Sequence, residues 1–164
     1  MTMYEENPRG ATRAANCTRF LELVRASLDR DLPAVSNLAN FSALVAEFFD
    51  EINWAGFYLF DGNHLFLGPF QGKPACTTIA LSRGVCGAAA SRRETVVVPD
   101  VDRFPGHIAC DASSRSEIVV PIVVNGRLFG VLDVDSPVPG RFADLERDTF
   151  EAAVKVLVDI EPSL

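Results

Sequence analysis

The sequence predicts an α+β fold: a largely antiparallel central sheet with N- and C-terminal helices packed on it. Three observations predict it. Apolar residues recur at helical spacing over about residues 11–28 and 34–49, before any strand pattern begins. The turn signals Asp61-Gly62-Asn63 and Asn125-Gly126 then join runs of strand length. A last amphipathic stretch, about Ala143 to Ile160, returns to the helical period. Helices, then a hairpin-rich sheet, then a helix define the class.

Each element follows in order. Phe20, Leu21, Val24 and Leu28 mark the first helix, and Val35, Leu38, Phe41, Leu44, Val45 and Phe48 the second, with Asp29 to Pro33 between them. Cys17 sits in the first helix without chemical neighbours and is read as a packing residue. Ile52 to Phe60 is the first strand, with Trp54, Gly56 and Tyr58 on one face because strand side chains alternate. A glycine between two aromatics suits close approach by a ligand, or plain core packing. His64 to Phe70 returns as a hairpin partner, and Ala75 to Leu81 is a third strand carrying Cys76. A short helix from about Val85 to Ser91 places Cys86 in its first turn, where a helix N-terminus can lower a thiol pKa. Val96 to Pro99, Glu117 to Val124 and Arg127 to Asp135 supply the remaining strands.

At 164 residues the chain is long enough for one domain with a real core, residues 1–10 being a loose N-terminal segment. A net charge of −7 without a Lys/Arg cluster argues against nucleic acid. No apolar run approaches the ~20 residues of a membrane span, and the polar N-terminus lacks a signal-peptide core. These features point to a cytoplasmic protein, where thiols stay reduced. Four cysteines there argue for redox, metal or packing roles.

Phe104 to Glu117 joins a Pro-Gly break to a strand and carries Cys110 among Asp111, small hydroxylated residues, Arg115 and Glu117. A partly exposed thiol with polar neighbours can serve as a nucleophile. Asp133 and Asp135, two apart, leave one face of a strand together with Phe129 and Val131. Beside Glu117 they suggest an acidic pocket, which could bind an ammonium group or keep a carboxylic acid protonated. Cys76, Cys86 and Cys110 lack the short spacing of structural zinc sites, and neither His64 nor His107 pairs with a cysteine at ligand spacing, so no metal is expected. Phosphate-loop and serine-hydrolase motifs are also missing.

Leu67-Gly68-Pro69-Phe70-Gln71-Gly72-Lys73-Pro74-Ala75-Cys76, Arg83-Gly84-Val85-Cys86-Gly87, Phe104-Pro105-Gly106-His107-Ile108-Ala109-Cys110-Asp111, Ser116-Glu117-Ile118-Val119-Val120-Pro121 and Gly130-Val131-Leu132-Asp133-Val134-Asp135-Ser136 resemble, in that order, the free methionine-(R)-sulfoxide reductases. These are single GAF-domain proteins. The resemblance covers about residues 53–142. It implies that Cys110 attacks the sulfoxide sulfur and that Cys76 resolves the sulfenic acid as a disulfide, with Cys86 as the alternative thiol. Glu117 and Asp135 would polarise or protonate the sulfoxide oxygen. Asp133 would bind the substrate ammonium, Trp54 and Tyr58 would enclose the S-methyl end, and Ser116 belongs to the 113–117 loop whose backbone N–H groups would meet the carboxylate. It further implies free methionine sulfoxide as substrate, no cofactor, thioredoxin as reductant and a homodimer through the terminal helices. The competing readings are a ligand-sensing GAF module without chemistry and a thiol redox sensor.

Overall fold

The computed structural model describes residues 10–107 and 111–160. Helix α1 (Arg13–Ser27) begins at Thr12, whose hydroxyl accepts a hydrogen bond from Ala15 N at 3.1 Å. Such an N-cap satisfies one of the orphan donors of the first turn. Helix α2 (Ala34–Phe48) follows, then strands β1 (Trp54–Phe60), β2 (His64–Gly72) and β3 (Thr78–Ala80). Helix α3 (Gly84–Arg92), strand β4 (Val96–Val98) and a 3₁₀ turn (Val101–Arg103) lead to β5 (Ser116–Val124), β6 (Arg127–Ser136) and α4 (Asp144–Ile160). No described helix is long and apolar enough to cross a membrane.

The strands form one six-stranded sheet in the order β3-β2-β1-β6-β5-β4, and every adjacent pair is antiparallel. The first strand and the last therefore meet at its centre. Because side chains alternate, the sheet has two cores. On one face Ala55, Phe57, Ile118, Val120, Ile122, Leu132 and Val134 pack under α1, α2 and α4. Phe20 stands edge-on to Phe41, Phe49 and Phe150 there, at centroid distances of 5.8, 5.1 and 6.1 Å, a favoured aromatic geometry. On the other face Trp54, Tyr58, Leu65, Val119 and Val131 pack with Val85, Cys86, Ala89 and Ala90 of α3.

Two expectations change, and one open alternative, at Gly56, is decided for core packing. Cys76 lies in the connection before β3, because only Thr78–Ala80 pairs with β2. Phe129 packs with the helix-covered core, opposite Val131. The register shifts between Ile122↔Gly130 and Val123↔Leu128, leaving Phe129 as the extra residue of a β-bulge that breaks the alternation. Gly56 is filled from within the protein: a Cβ there would lie 2.3 Å from Phe70 Cβ and 2.8 Å from the Trp54 ring.

Candidate active site beneath helix α3

The register aligns the site across the sheet. Glu117 of β5 stands opposite Asp135 of β6, and Asp135 opposite Trp54 of β1. In the next row on the same face, Val119 stands opposite Asp133, and Asp133 opposite Gly56. Three carboxyls thus share one patch of an apolar sheet face. Helix α3 covers it, sitting close because Gly87 has no Cβ; one would come 2.7 Å from Ala80 O and 2.8 Å from Leu81 O. That approach lowers Cys86 onto the acids: one donor atom from each of Cys86, Glu117 and Asp133 lies within 4.8 Å of the others.

Burial governs this cluster's charge. Desolvation is the largest cause holding the Glu117, Asp133 and Asp135 carboxyls well above the usual carboxylate range, and neighbouring carboxylates add to it: Asp135 for Glu117, Glu117 for Asp133 and Asp133 for Asp135. Burial also pushes the Cys86 thiol well up, reinforced by Asp133 and Glu117. The helix N-terminus therefore does not activate Cys86. Cys86, Glu117 and Asp133 could offer ligand atoms to a metal ion only as thiolate and carboxylates, the forms that burial disfavours here. Desolvation lowers the His107 pKa while Asp102 opposes it; His107 Nε2 stands 3.6 Å from Glu117 Oε2.

Two small cavities open on the acids. One of about 30 Å³ lies between Ile79, Val85, Cys86, His107, Asp111, Ser114 and the three carboxyls. One of about 10 Å³ separates Trp54, Tyr58, Pro74 and Ala75 from Asp111, Asp133 and Asp135. Trp54 stacks on Tyr58 and on Phe70 with centroids 5.8 and 5.3 Å apart, making the aromatic wall. Both rings also carry a polar tip: Trp54 Nε1 donates to Lys73 O at 3.1 Å and Tyr58 OH to Cys76 O at 3.0 Å. Asp133 Oδ1 is buried with no hydrogen-bond partner among the described residues.

The cysteines divide by environment. Cys76 is held in a disulfide, whereas Cys17 and Cys86 are free and buried. Cys17 packs in the helix-covered core as its sequence context suggests. Cys110 lies outside the described residues; Asp111, next in the chain, lines both cavities.

Ser116 is not brought to the pocket. It is fully buried on the opposite side of β5 from Glu117, its hydroxyl donating to Val138 O at 2.7 Å and accepting from Arg141 N at 3.3 Å. The backbone N–H groups of residues 113–115 also have internal acceptors: Ser113 N the Asp111 carboxylate, Ser114 N the Asp111 carbonyl and Arg115 N the Ser136 carbonyl. Sequence reasoning did not single out Asn53, Lys73 or Ser114. Asn53 Nδ2 donates to Asp111 Oδ2 at 3.1 Å and to Ser114 Oγ at 3.0 Å. A polar residue just before an apolar strand was the only signal available.

Comparison with known proteins agrees with this architecture. The GAF domain profile matches residues 16–158. The free methionine-R-sulfoxide reductase of Escherichia coli is 53% identical over 127 residues, covering 73% of this chain and 77% of that protein. The protein of that name from Saccharomyces cerevisiae is 47% identical over 131 residues, covering 75% and 73%. The free methionine-R-sulfoxide reductase of Neisseria meningitidis, solved in complex with its substrate, superposes with a TM-score of 0.90 at 40% identity, covering 96% of this chain and 95% of that one. The chain therefore belongs to the free methionine-R-sulfoxide reductase family of GAF-domain proteins.

Proposed function

We propose that the protein reduces free L-methionine-(R)-sulfoxide to L-methionine through a two-cysteine relay. The observation that carries this reading is the set of desolvated carboxyls converging beside an aromatic wall, next to the residue that follows Cys110. Oxygen leaves a sulfoxide poorly unless protonated, and carboxyls with raised pKa values hold that proton at neutral pH.

In the proposed reaction the Cys110 thiolate attacks the sulfoxide sulfur while Glu117, with Asp135, delivers a proton to the oxygen. Methionine leaves and Cys110 becomes a sulfenic acid. The Cys76 thiolate then attacks the sulfenic sulfur, the S–O bond breaks, water departs and a disulfide forms. A thioredoxin-type dithiol returns both cysteines to thiols by exchange. The balance is one sulfoxide and two thiols to one thioether, one disulfide and one water. The engagement of Cys76 in a disulfide, with Cys17 and Cys86 free, supports Cys76 as resolving thiol over Cys86. The orphaned Asp133 Oδ1 supports Asp133 as acceptor for the substrate ammonium. Trp54 and Tyr58 enclose the methyl end. The two cavities each hold about a water, so in this reading substrate enters when the disulfide is reduced and the loops part. The substrate carboxylate then takes N–H groups of the 113–117 loop released from their internal acceptors.

The test mixes pre-reduced protein, without added reductant, with free L-methionine-(R)-sulfoxide, and measures methionine released and thiols lost. About one methionine per chain with loss of two thiols, both abolished in Cys110→Ser, is the expected result. No methionine and no thiol loss would hand the site to the ligand-sensing reading.

A further inference from the structure

The relay requires the sulfenic sulfur to meet Cys76 before any other thiol or oxidant does. Two loops carry the partners. The β2–β3 connection holds Lys73 and Cys76, and the segment after Cys110 begins at Asp111. Lys73 Nζ reaches across to Asp111 Oδ1 at 3.4 Å and to Ser113 Oγ at 3.3 Å. Both ends of this bridge are anchored on or just before β1: Trp54 holds the Lys73 carbonyl, Tyr58 the Cys76 carbonyl, and Asn53 the Asp111 carboxylate.

We propose that Lys73 is a positioning residue for the disulfide step, clamping the Cys76 loop onto the segment that follows Cys110 through Asp111 and Ser113. This rests on the Cys110–Cys76 relay proposed above. Lys73 moves no proton or electron pair; Cys76 forms the S–S bond, the S–O bond breaks, and hydroxide leaves as water after taking a proton. Its part is to raise the effective concentration of the Cys76 thiol at the sulfenic sulfur.

Asp111 keeps its charge throughout the neutral range. Its carboxyl is lowered to about 2, first by the Ser113 N–H and further by Asn53 and Lys73. The Lys73 side chain is 68% exposed, so the fold does not depend on pairing a buried cation there. A partly exposed pair of this kind is worth about a twofold to fivefold effect. By linkage, a contact that favours the disulfide state must also make that disulfide harder to reduce.

The experiment uses the full chain with Lys73→Met and Lys73→Arg. Pre-reduced protein is mixed rapidly with free L-methionine-(R)-sulfoxide, and methionine release, thiol loss and labelling by a sulfenic-acid-specific dione are followed. With Lys73→Met, methionine release should keep its wild-type rate while thiol loss slows about threefold and dione labelling rises. Lys73→Arg should restore the wild-type partition. Salt at about 1 M, where the screening length is about 3 Å, should slow thiol loss in the wild type and leave Lys73→Met unchanged. Equilibration against dithiothreitol should show the variant's disulfide about threefold easier to reduce. Wild-type thiol loss in Lys73→Met, or methionine release slowed in parallel, would overturn the clamp. Wild-type protein that releases no methionine would instead remove the reductase reading itself.

Discussion

The pKa values of Glu117, Asp133 and Asp135 are raised because the fold desolvates each carboxyl and sets another carboxyl beside it. Replacing Glu117 with glutamine keeps the shape and removes the acid, so steady-state methionine formation should fall about 100-fold with little change in KM. The wild-type rate should decline as pH rises through the raised pKa of that acid, whereas Glu117→Gln should lose this alkaline limb. Sequence periodicity alone brought Asp133 and Asp135 to one face, and a hairpin signal set Glu117 beside them. It could not foresee that α3 would dehydrate them, since how closely a helix settles on a sheet is decided by packing, here with Gly87 set against the carbonyls of Ala80 and Leu81 just before the helix. Cys86 likewise reads from sequence as a thiol at an activating helix N-terminus, whereas burial in the fold pushes its pKa up.

At the level of elements, β1 is shaped around Gly56. Trp54 and Phe70 occupy the space a side chain would take, so Gly56→Ala should cost about 1–3 kcal/mol, readable as a lowered urea midpoint, and should unstack the aromatic wall. The two hairpins were legible because Asn125-Gly126 and Asp61-Gly62-Asn63 have their own turn chemistry. Gly62 and Asn125-Gly126 indeed adopt positive φ. The bulge at Phe129 was not legible, because it arises from pairing with β5 and leaves no residue preference behind. Cys76 was likewise assigned to a strand by its apolar neighbours, although its carbonyl is held by Tyr58 rather than by a β2 partner.

Across the whole molecule, the two ends of the fold are tied by one buried carboxylate. Glu146 of α4 is 1% exposed and accepts from Ala143 N, from Arg141 Nη1 at 3.1 Å and from the Arg13 guanidinium of α1. Arg141 in turn donates to Asp50 O after α2. Burial pushes the Glu146 pKa up, but these hydrogen bonds outweigh it and hold it below its ordinary value. Glu146→Gln should lower stability by about 1–3 kcal/mol in chemical denaturation, because buried Arg141 would keep only the Asp50 carbonyl and the largely exposed Glu51 carboxylate, 3.6 Å away. The acids at the two ends of the pH scale act oppositely. Glu146, with its lowered pKa, contributes stability present above its unfolded pKa and lost as pH falls through the folded one. The site carboxyls, with raised pKa values, contribute stability present below their unfolded pKa and lost as pH rises through the folded ones. Asp133→Asn should therefore melt higher than wild type at neutral pH, with the difference vanishing near pH 4, where about half of such carboxyls are protonated even when unfolded. A central β1–β6 pair also has a kinetic meaning. Trp54, the chain's single tryptophan, gains its neighbour Asp135 only when strands some eighty residues apart in sequence zip together. Such distant pairings form late in folding, so the indole's fluorescence in refolding is a built-in clock for the moment at which the pocket comes into being.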